Sequence, residues 1–155
     1  MAAAKAGADV VHLDASKGAV EWARKNAELS GLSKKPIRWI VDDVLAFATR
    51  EVRRGNRYDA IIMDPPAFGH GPKDELWKIE EHFLRLMELS KKLLVDTPLF
   101  VLLNGYAAGY SPLVFKQNLE ALVGTSLGVQ YGELALSESE SERLLPSGMY
   151  ARYSR

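Results

Sequence analysis

The chain has 155 residues, 47% of them apolar, and this length and composition predict a single packed domain over residues 1–155. Its 20 basic residues balance 20 acidic ones, so the charge gives no sign of a strongly basic nucleic-acid surface. With no cysteine, the chain has no disulfide, thiolate zinc site or cysteine nucleophile. It also lacks a long apolar run and a signal-peptide pattern, so we expect a cytoplasmic protein.

Short apolar strands alternate with helices along most of the chain. The spacing predicts a helix tail at 2–8, strands at 9–14, 37–41, 58–63 and 99–104, and helices over 16–31, 43–53, 76–98 and 112–123. Two consecutive strands follow at 129–136 and 148–155, joined by a polar loop over 137–147. Two strands with no helix between them are typical of an antiparallel hairpin.

This alternation predicts a doubly wound, mostly parallel α/β sheet that ends in an antiparallel pair. The continuous apolar runs at 58–63 and 99–104 predict strands that are buried on both faces. In such sheets, ligands bind beyond the carboxyl ends of the strands. Because Asp14, Asp43, Asp64 and Asn104 all lie at predicted strand ends, we expect the functional site there.

Two of these acids also have structural interpretations. Ser16 is predicted to be the N-cap of the helix over 16–31. Asp14 can accept hydrogen bonds from ribose hydroxyls, or it can be a second N-cap for the same helix. Asp43 can accept from an adenine amino group while the N–H of Val44 meets the ring, or Asp42 or Asp43 can cap the helix over 43–53. The residues alone leave these alternatives open.

The segment Asp64-Pro65-Pro66 is the sharpest local signal. Proline fixes φ and has no N–H, so two in succession stiffen the exit from the strand, and Pro65 keeps Asp64 out of the helical region. This predicts a carboxylate and carbonyls aimed at one point, where they suit a substrate amino group while Phe68 stacks on a flat base. The alternative is a rigid loop without function. We interpret the glycine-flanked residues 69–71 as a mobile hinge over the site.

Other polar residues give weaker hypotheses. His70 can serve as a base, but a lone loop histidine is more often ordinary surface. His12 and His82 do not cluster, so they do not indicate a metal site. Four arginines could form a phosphate-binding patch, namely Arg50, Arg53, Arg54 and Arg57. The alternative is that they are the solvated end of a helix.

Four segments resemble class I S-adenosylmethionine-dependent methyltransferases, and in particular the branch related to large-subunit ribosomal RNA methyltransferases. They are VVHLDASKGAVEWARKNAELSGL, IRWIVDDVLAF, YDAIIMDPPAFGHGPK and LPSGMYARYSR. The resemblance covers nearly the whole chain. It implies a Rossmann-like methyltransferase fold, S-adenosylmethionine as the cofactor and RNA, specifically ribosomal RNA, as the substrate.

The resemblance also implies roles for individual residues. Asp14 would hold the ribose hydroxyls, and Asp43 with Val44 would hold the adenine. Asp64, Pro65 and Pro66 would line the place where the methyl group meets its acceptor. Asn104 and Tyr106 would shape the pocket that holds the acceptor.

The chain departs from the family pattern at two places. Relatives carry a glycine-rich turn about 20 residues before the ribose-binding acid, and counting back from Asp14 runs off the start of this chain. We therefore expect that the domain is incomplete at its N-terminus and lacks the first strand, which in the family lies between those ending at Asp14 and Asp64. The second departure is Ala67, where the resemblance implies a basic residue.

These observations predict a methyltransferase acting on an RNA base. Methylation at C5 of a pyrimidine normally uses a cysteine thiolate, which this chain lacks, so we favour a nitrogen acceptor and no metal. The alternative is a non-catalytic fragment or binding module that keeps the sheet without the cofactor. A nicotinamide dehydrogenase shares the ribose-binding acid but leaves Asp64-Pro65-Pro66 and the terminal hairpin unexplained.

Overall fold

A computed structural model describes residues 1–124 and 128–155. Two compact units divide the chain: the first comprises Met1–Phe47 and His70–Leu76, and the second comprises Ala48–Gly69 and Trp77–Arg155. The elements, in chain order, are α1 (Ala2–Lys5), β1 (Val10–Asp14), α2 (Lys17–Leu29), β2 (Ile37–Val41), α3 (Val44–Arg53), β3 (Ala60–Met63), β4 (Phe68–His70), β5 (Leu76–Lys78), α4 (Ile79–Leu93), β6 (Phe100–Gly105), α5 (Pro112–Val123), β7 (Val129–Ser137) and β8 (Leu144–Ser154). None of the helices described is long and apolar enough to cross a membrane.

The first unit contains a parallel pair of strands. β1 and β2 pair in register from Val10 opposite Ile37 to Asp14 opposite Val41. Between them, α2 begins after Ser16, whose hydroxyl accepts a hydrogen bond from the N–H of Ala19 at 3.2 Å, as predicted. This βαβ unit places the carboxyl ends of both strands at the same edge.

The second unit contains a four-stranded sheet in the order β3-β6-β8-β7. β3 and β6 are parallel, and β8 runs antiparallel to both of its neighbours, which confirms the predicted C-terminal hairpin. The core of this unit is formed by fully buried residues of β6, α4 and α5, namely Val101, Leu103, Ile79, Phe115 and Leu119.

The prediction that the strand over 58–63 is buried on both faces is wrong. Ile62, in the middle of β3, is 61% exposed. β3 has β6 as its strand partner, and the face of β3 that carries Ile62 is not covered. An apolar run can therefore mark a strand of the parallel type without showing that both faces are covered.

The segment after the two prolines also differs from the prediction. Residues 69–71, predicted as a hinge, lie largely in β4, which pairs with β5 in a short hairpin. Its turn includes Asp74, which has a φ of 66°, and this left-handed conformation favours a turn rather than a helix. Leu76, predicted to lie in the helix, is therefore in β5, and α4 ends at Leu93 instead of reaching Pro98.

One further boundary was predicted incorrectly. β8 begins at Leu144, inside the segment predicted as a polar loop, because Leu144 and Leu145 pair with Ser137 and Leu136 of β7. The connection between these strands is shortened to a turn in which Arg143 donates to the Glu138 carboxylate at 3.0 Å.

Candidate active site

The carboxylate of Asp14 is oriented by the chain that follows it. Asp14 is the last residue of β1, and its Oδ1 accepts a hydrogen bond from the N–H of Ser16 at 2.7 Å. Ser16 itself caps α2, so the capping alternative for Asp14 is not what the structure shows. Within the described residues, nothing donates to the second oxygen of Asp14, which leaves an oriented acceptor at the strand end.

Asp43 is held in a different way. Its Oδ1 accepts from the N–H of Ala46 at 2.8 Å, which makes it the N-cap of α3 and confirms the capping alternative. The other carboxylate oxygen accepts no hydrogen bond within residues 1–124 and 128–155. Val44 is the first residue of α3, so its N–H has no acceptor inside the helix. An acceptor and a donor therefore lie side by side where β2 ends.

Asp14 and Asp43 lie at the same edge of the first unit. Asp14 is paired with Val41 in the parallel ladder, and the N–H of Asp42 donates to the main-chain oxygen of Asp14 at 3.1 Å. The predicted convergence of these two acids within the first unit is therefore seen. A ribose hydroxyl and an adenine edge are the kinds of group that such acceptors and an adjacent N–H can bind.

Asp64 directly follows β3 in the second unit and differs from both of these acids. Its carboxylate makes no hydrogen bond or ion pair with the described part of the chain. Partial burial raises the pKa of the Asp64 carboxyl above its usual value, because desolvation disfavours the charged form. Asp64 as a whole residue is exposed, and a carboxylate without a partner among the described residues is available to accept from a ligand.

The main-chain carbonyls of Pro65 and Pro66 differ in whether they accept a hydrogen bond from the protein. The Pro66 carbonyl accepts a hydrogen bond from Trp77 Nε1 at 2.7 Å. The Pro65 carbonyl accepts from no donor in the described residues, although Pro65 itself is buried. Of the two acceptors that the sequence places here, one is occupied by a side chain and the other is open.

Gly105 packs against the Pro65 carbonyl and tightly against the ring of Phe115. A Cβ placed on Gly105 would lie 3.6 Å from the Pro65 carbonyl oxygen and 3.1 Å from Cζ of Phe115. Gly148 is packed against Gly105 in turn: it has a φ of 106°, and a Cβ there would lie 2.7 Å from the Gly105 carbonyl oxygen. Sequence reasoning missed both glycines, because their need comes from strand contacts that no local pattern marks.

Asn104 lies beside Asp64 at the edge of the second unit. In the parallel ladder Met63 is opposite Leu103, so Asp64 and Asn104 are each one residue beyond a paired position. Tyr106 follows two residues after Asn104 and is 71% exposed, and Phe68 is 56% exposed. Two exposed aromatic rings therefore flank the two segments that carry the polar groups of this unit.

The weaker candidates have structural roles or remain surface residues. Arg54 donates to Glu51 at 2.9 Å and Arg57 donates to the main-chain oxygen of Leu94 at 2.7 Å, which favours the helix-end interpretation for these arginines. His70 Nε2 lies 3.9 Å from Asp74, a loop contact between exposed side chains. The described residues contain no cluster of three or more histidine, aspartate or glutamate side chains suited to a metal ion.

Sequence reasoning did not find Trp77, whose side chain contacts the Asp64-Pro65-Pro66 motif. It lies 11 residues after Pro66, and its side chain is 7% exposed. A tryptophan after a glycine-rich loop gives no signal of its own, since the pairing depends on the turn of the β4–β5 hairpin.

The chain is similar in sequence and in fold to known methyltransferases. No family model matches the chain. Over 67 residues it is 39% identical to the ribosomal RNA large subunit methyltransferase I of Aeromonas hydrophila, a match that covers 43% of this chain and 17% of the relative. The chain thus spans less than a quarter of the length of this curated relative.

Solved structures give the same result for the fold. The S-adenosylmethionine-dependent methyltransferase from Agrobacterium tumefaciens superposes with a TM-score of 0.91 at 35% identity, covering 98% of this chain and 50% of that one. An O-methyltransferase from Bacillus cereus in complex with S-adenosylhomocysteine gives a TM-score of 0.54 at 15% identity, with 96% and 64% covered. These findings confirm the resemblance, and the chain has the Rossmann-like α/β fold of the class I S-adenosylmethionine-dependent methyltransferases.

Proposed function

We propose that the protein is an S-adenosylmethionine-dependent methyltransferase that modifies a nitrogen of an RNA base, and that residues 1–155 all belong to one catalytic domain. The observation that carries this proposal is the end of β3. There Asp64 and the Pro65 carbonyl are two acceptors without partners in the described residues, on a chain whose fold resembles these enzymes. We further propose a cytoplasmic location, since that is where the substrate class is found.

The first unit supplies groups that suit the cofactor. The open oxygen of Asp14 is suited to ribose hydroxyls, which donate hydrogen bonds. The open oxygen of Asp43 can accept from the adenine amino group, and the N–H of Val44 can donate to a ring nitrogen. When bound, S-adenosylmethionine supplies the methyl group on a positively charged sulfur. These three residues bind and orient its adenosine part.

The second unit supplies groups that suit an amino nitrogen. An exocyclic amino group has two hydrogens, which match the Asp64 carboxylate and the Pro65 carbonyl as acceptors. Accepting both hydrogens turns the nitrogen lone pair away from these oxygens, toward an incoming methyl group. Direct displacement by that lone pair would form the N–C bond as the S–C bond breaks, with the electron pair left on the sulfur of the departing S-adenosylhomocysteine. The nitrogen would then lose one of its hydrogens as a proton to the Asp64 carboxylate that accepts it. Such a step needs positioning more than further protein chemistry. Pro66 contributes by fixing the backbone, because its ring restricts φ.

Exposed aromatic side chains support a nucleic-acid base as the acceptor. Phe68 and Tyr106 are both exposed, and proteins use exposed aromatic rings to stack on unpaired RNA bases. Asn104 can hydrogen-bond to the polar edge of such a base through its amide. The similarity to a relative named as a ribosomal RNA methyltransferase supports ribosomal RNA as the specific substrate.

A transfer assay tests the proposal directly. The chain is incubated with methyl-labelled S-adenosylmethionine and unmodified ribosomal RNA, and the labelled nucleoside is identified after digestion. We expect a base methylated on nitrogen, and we expect Asp64→Asn to lower the rate while Asp96→Asn, at an exposed aspartate without a described partner, leaves it unchanged. Label on a carbon atom would overturn the nitrogen assignment.

The same experiment separates the alternatives. Transfer to a small molecule or protein, with none to RNA, would overturn the substrate class. The rival is a binding module that keeps the sheet and has no activity. It is supported if calorimetry detects no binding of S-adenosylmethionine to the folded chain and no acceptor is labelled.

A further inference from the structure

We infer that Trp77 is a positioning residue for methyl transfer, because its indole N–H occupies the Pro66 carbonyl and leaves the Pro65 carbonyl as the open main-chain acceptor. This inference rests on the proposed function and names a residue outside the motif itself. Trp77 does not need to touch either substrate. It acts through the backbone of the two prolines.

The hydrogen bond from Trp77 is short, and its donor side chain is buried. The distance from Nε1 to the Pro66 oxygen is 2.7 Å, at the short end of the usual range for N–H···O bonds. The Trp77 side chain is buried, and a buried indole N–H that loses its partner carries the full cost of desolvation. The bond is therefore expected to persist while the enzyme works.

The indole is itself held in place by its neighbours. The ring of His82 stacks on Trp77 with 5.5 Å between the centroids and an angle of 27° between the planes. His82 is anchored in turn, because its Nδ1 lies 3.1 Å from the main-chain nitrogen of Lys78. One residue beyond Pro66, the Ala67 carbonyl accepts from the N–H of Ile79 at 3.0 Å. Two bonds thus tie the exit of the proline segment to the start of α4.

These contacts determine which carbonyl faces outward. Proline restricts φ at positions 65 and 66, so the main freedom left in the segment is rotation about ψ. The Trp77 bond fixes ψ at Pro66, and the peptide planes before it then have little room to turn. Without that bond, the Pro66 carbonyl becomes a competing acceptor and the Pro65 carbonyl loses its fixed direction.

The expected consequence is a loss of rate with little loss of binding. A misplacement of about 1 Å at a reacting group can lower a rate roughly 100-fold, while groups that bind the cofactor elsewhere are unaffected. Trp77→Phe keeps an aromatic ring against His82 and removes the N–H donor. We expect its kcat to fall about 10- to 100-fold, with KM for S-adenosylmethionine and for RNA within about twofold of the original values.

A second tryptophan provides a matched control. Trp22 on α2 is 69% exposed and far from the motif in sequence, so Trp22→Phe removes the same N–H without touching the prolines. We expect this variant to keep kcat, both KM values and the unfolding midpoint. If Trp77 served only to stabilise the fold, Trp77→Phe would lower the midpoint while the kcat per folded molecule stayed unchanged, and this result would overturn the inference.

A closer replacement covers the case in which Trp77→Phe does not fold. Introducing 3-benzothienylalanine at position 77 keeps the shape of the indole and puts sulfur in place of N–H. We expect the same selective loss of kcat, and an unchanged kcat in the folded protein would overturn the inference. If the unaltered chain transfers no methyl group to RNA, the proposed function fails and the role of Trp77 fails with it. Normal transfer by the Trp77 variants would reject the positioning role alone.

Discussion

Asp43 and Asp64 each follow a short apolar strand, yet their carboxylates are in opposite situations. Asp43 is followed by a helix, and the N–H of Ala46 binds one of its oxygens. Asp64 is followed by Pro65 and Pro66, which have no N–H to donate, and its carboxylate has no partner in the described residues. The residues after a strand-end acid therefore decide whether the acid serves the fold or remains open to a ligand.

Asp14 lies between these two cases. Its Oδ1 accepts from Ser16, which orients the carboxylate, while Ser16 takes over the capping of α2. A separate capping residue thus frees one aspartate oxygen for binding. The three acids show that a strand-end aspartate is better judged by the N–H groups within three residues after it than by its position alone.

The largest effect is expected when the unpartnered acid is changed. Asp64→Ala should lower kcat about 100-fold or more, in the range of removing a group that contacts the reacting atoms. Its free energy of unfolding should change by less than about 0.5 kcal/mol, because no described hydrogen bond is lost. Parallel measurement of methyl transfer and urea unfolding checks both halves. A large loss of stability would contradict the interpretation that the Asp64 side chain does not stabilise the fold.

A smaller effect, on stability, is expected where the backbones of Gly105 and Gly148 are in contact. Gly148→Ala places a Cβ 2.7 Å from the Gly105 carbonyl oxygen at a φ of 106°. We expect destabilisation of about 2 kcal/mol, typical of a side chain forced into this backbone conformation. Gly128→Ala is the control, since a Cβ there meets nothing within 4 Å. Equal urea midpoints for the two variants would show that the strands can move apart without strain.

Substitutions of Asp43, the capping residue of α3, should separate its structural role from its role in cofactor binding. Asp43→Ala removes both the cap of α3 and the charge, and should cost about 1 kcal/mol of stability. Asp43→Asn keeps a good capping side chain, so we expect nearly unchanged stability. Both variants should bind S-adenosylmethionine about 10-fold more weakly, because the contact assigned to adenine uses the other oxygen. Calorimetry together with thermal unfolding distinguishes this outcome from a purely structural role, in which Asp43→Asn would bind normally.

The smallest effect concerns pH. The pKa of Asp64 is raised in the folded protein by desolvation, so between the unfolded and folded pKa values the folded state binds more protons. Stability should therefore decrease slightly as the pH rises through that window, and Asp64→Asn should remove this decrease. The rate should rise over the same window, because the ionised carboxylate is the better acceptor. A rate that falls as Asp64 ionises would contradict its assignment as an acceptor.

Local signals were enough for much of the fold. β2 and α5 have the predicted bounds, since each is a short periodic run closed by clear start and stop residues. The β4–β5 hairpin was missed because its strands have three residues each, too few for an alternating pattern to appear. The start of β8 was missed because a serine- and glutamate-rich segment continues directly into paired leucines.

The sequence by itself determined which acids end strands, which serine caps a helix and where two prolines stiffen the chain, because each depends on neighbours a few residues away. Only the tertiary structure decided that Trp77 occupies the Pro66 carbonyl, that Ile62 is exposed, and that Gly105 and Gly148 touch. Those facts depend on packing between segments far apart in the chain. No local pattern records such packing, since many sequences with the same periodicity are compatible with different contacts.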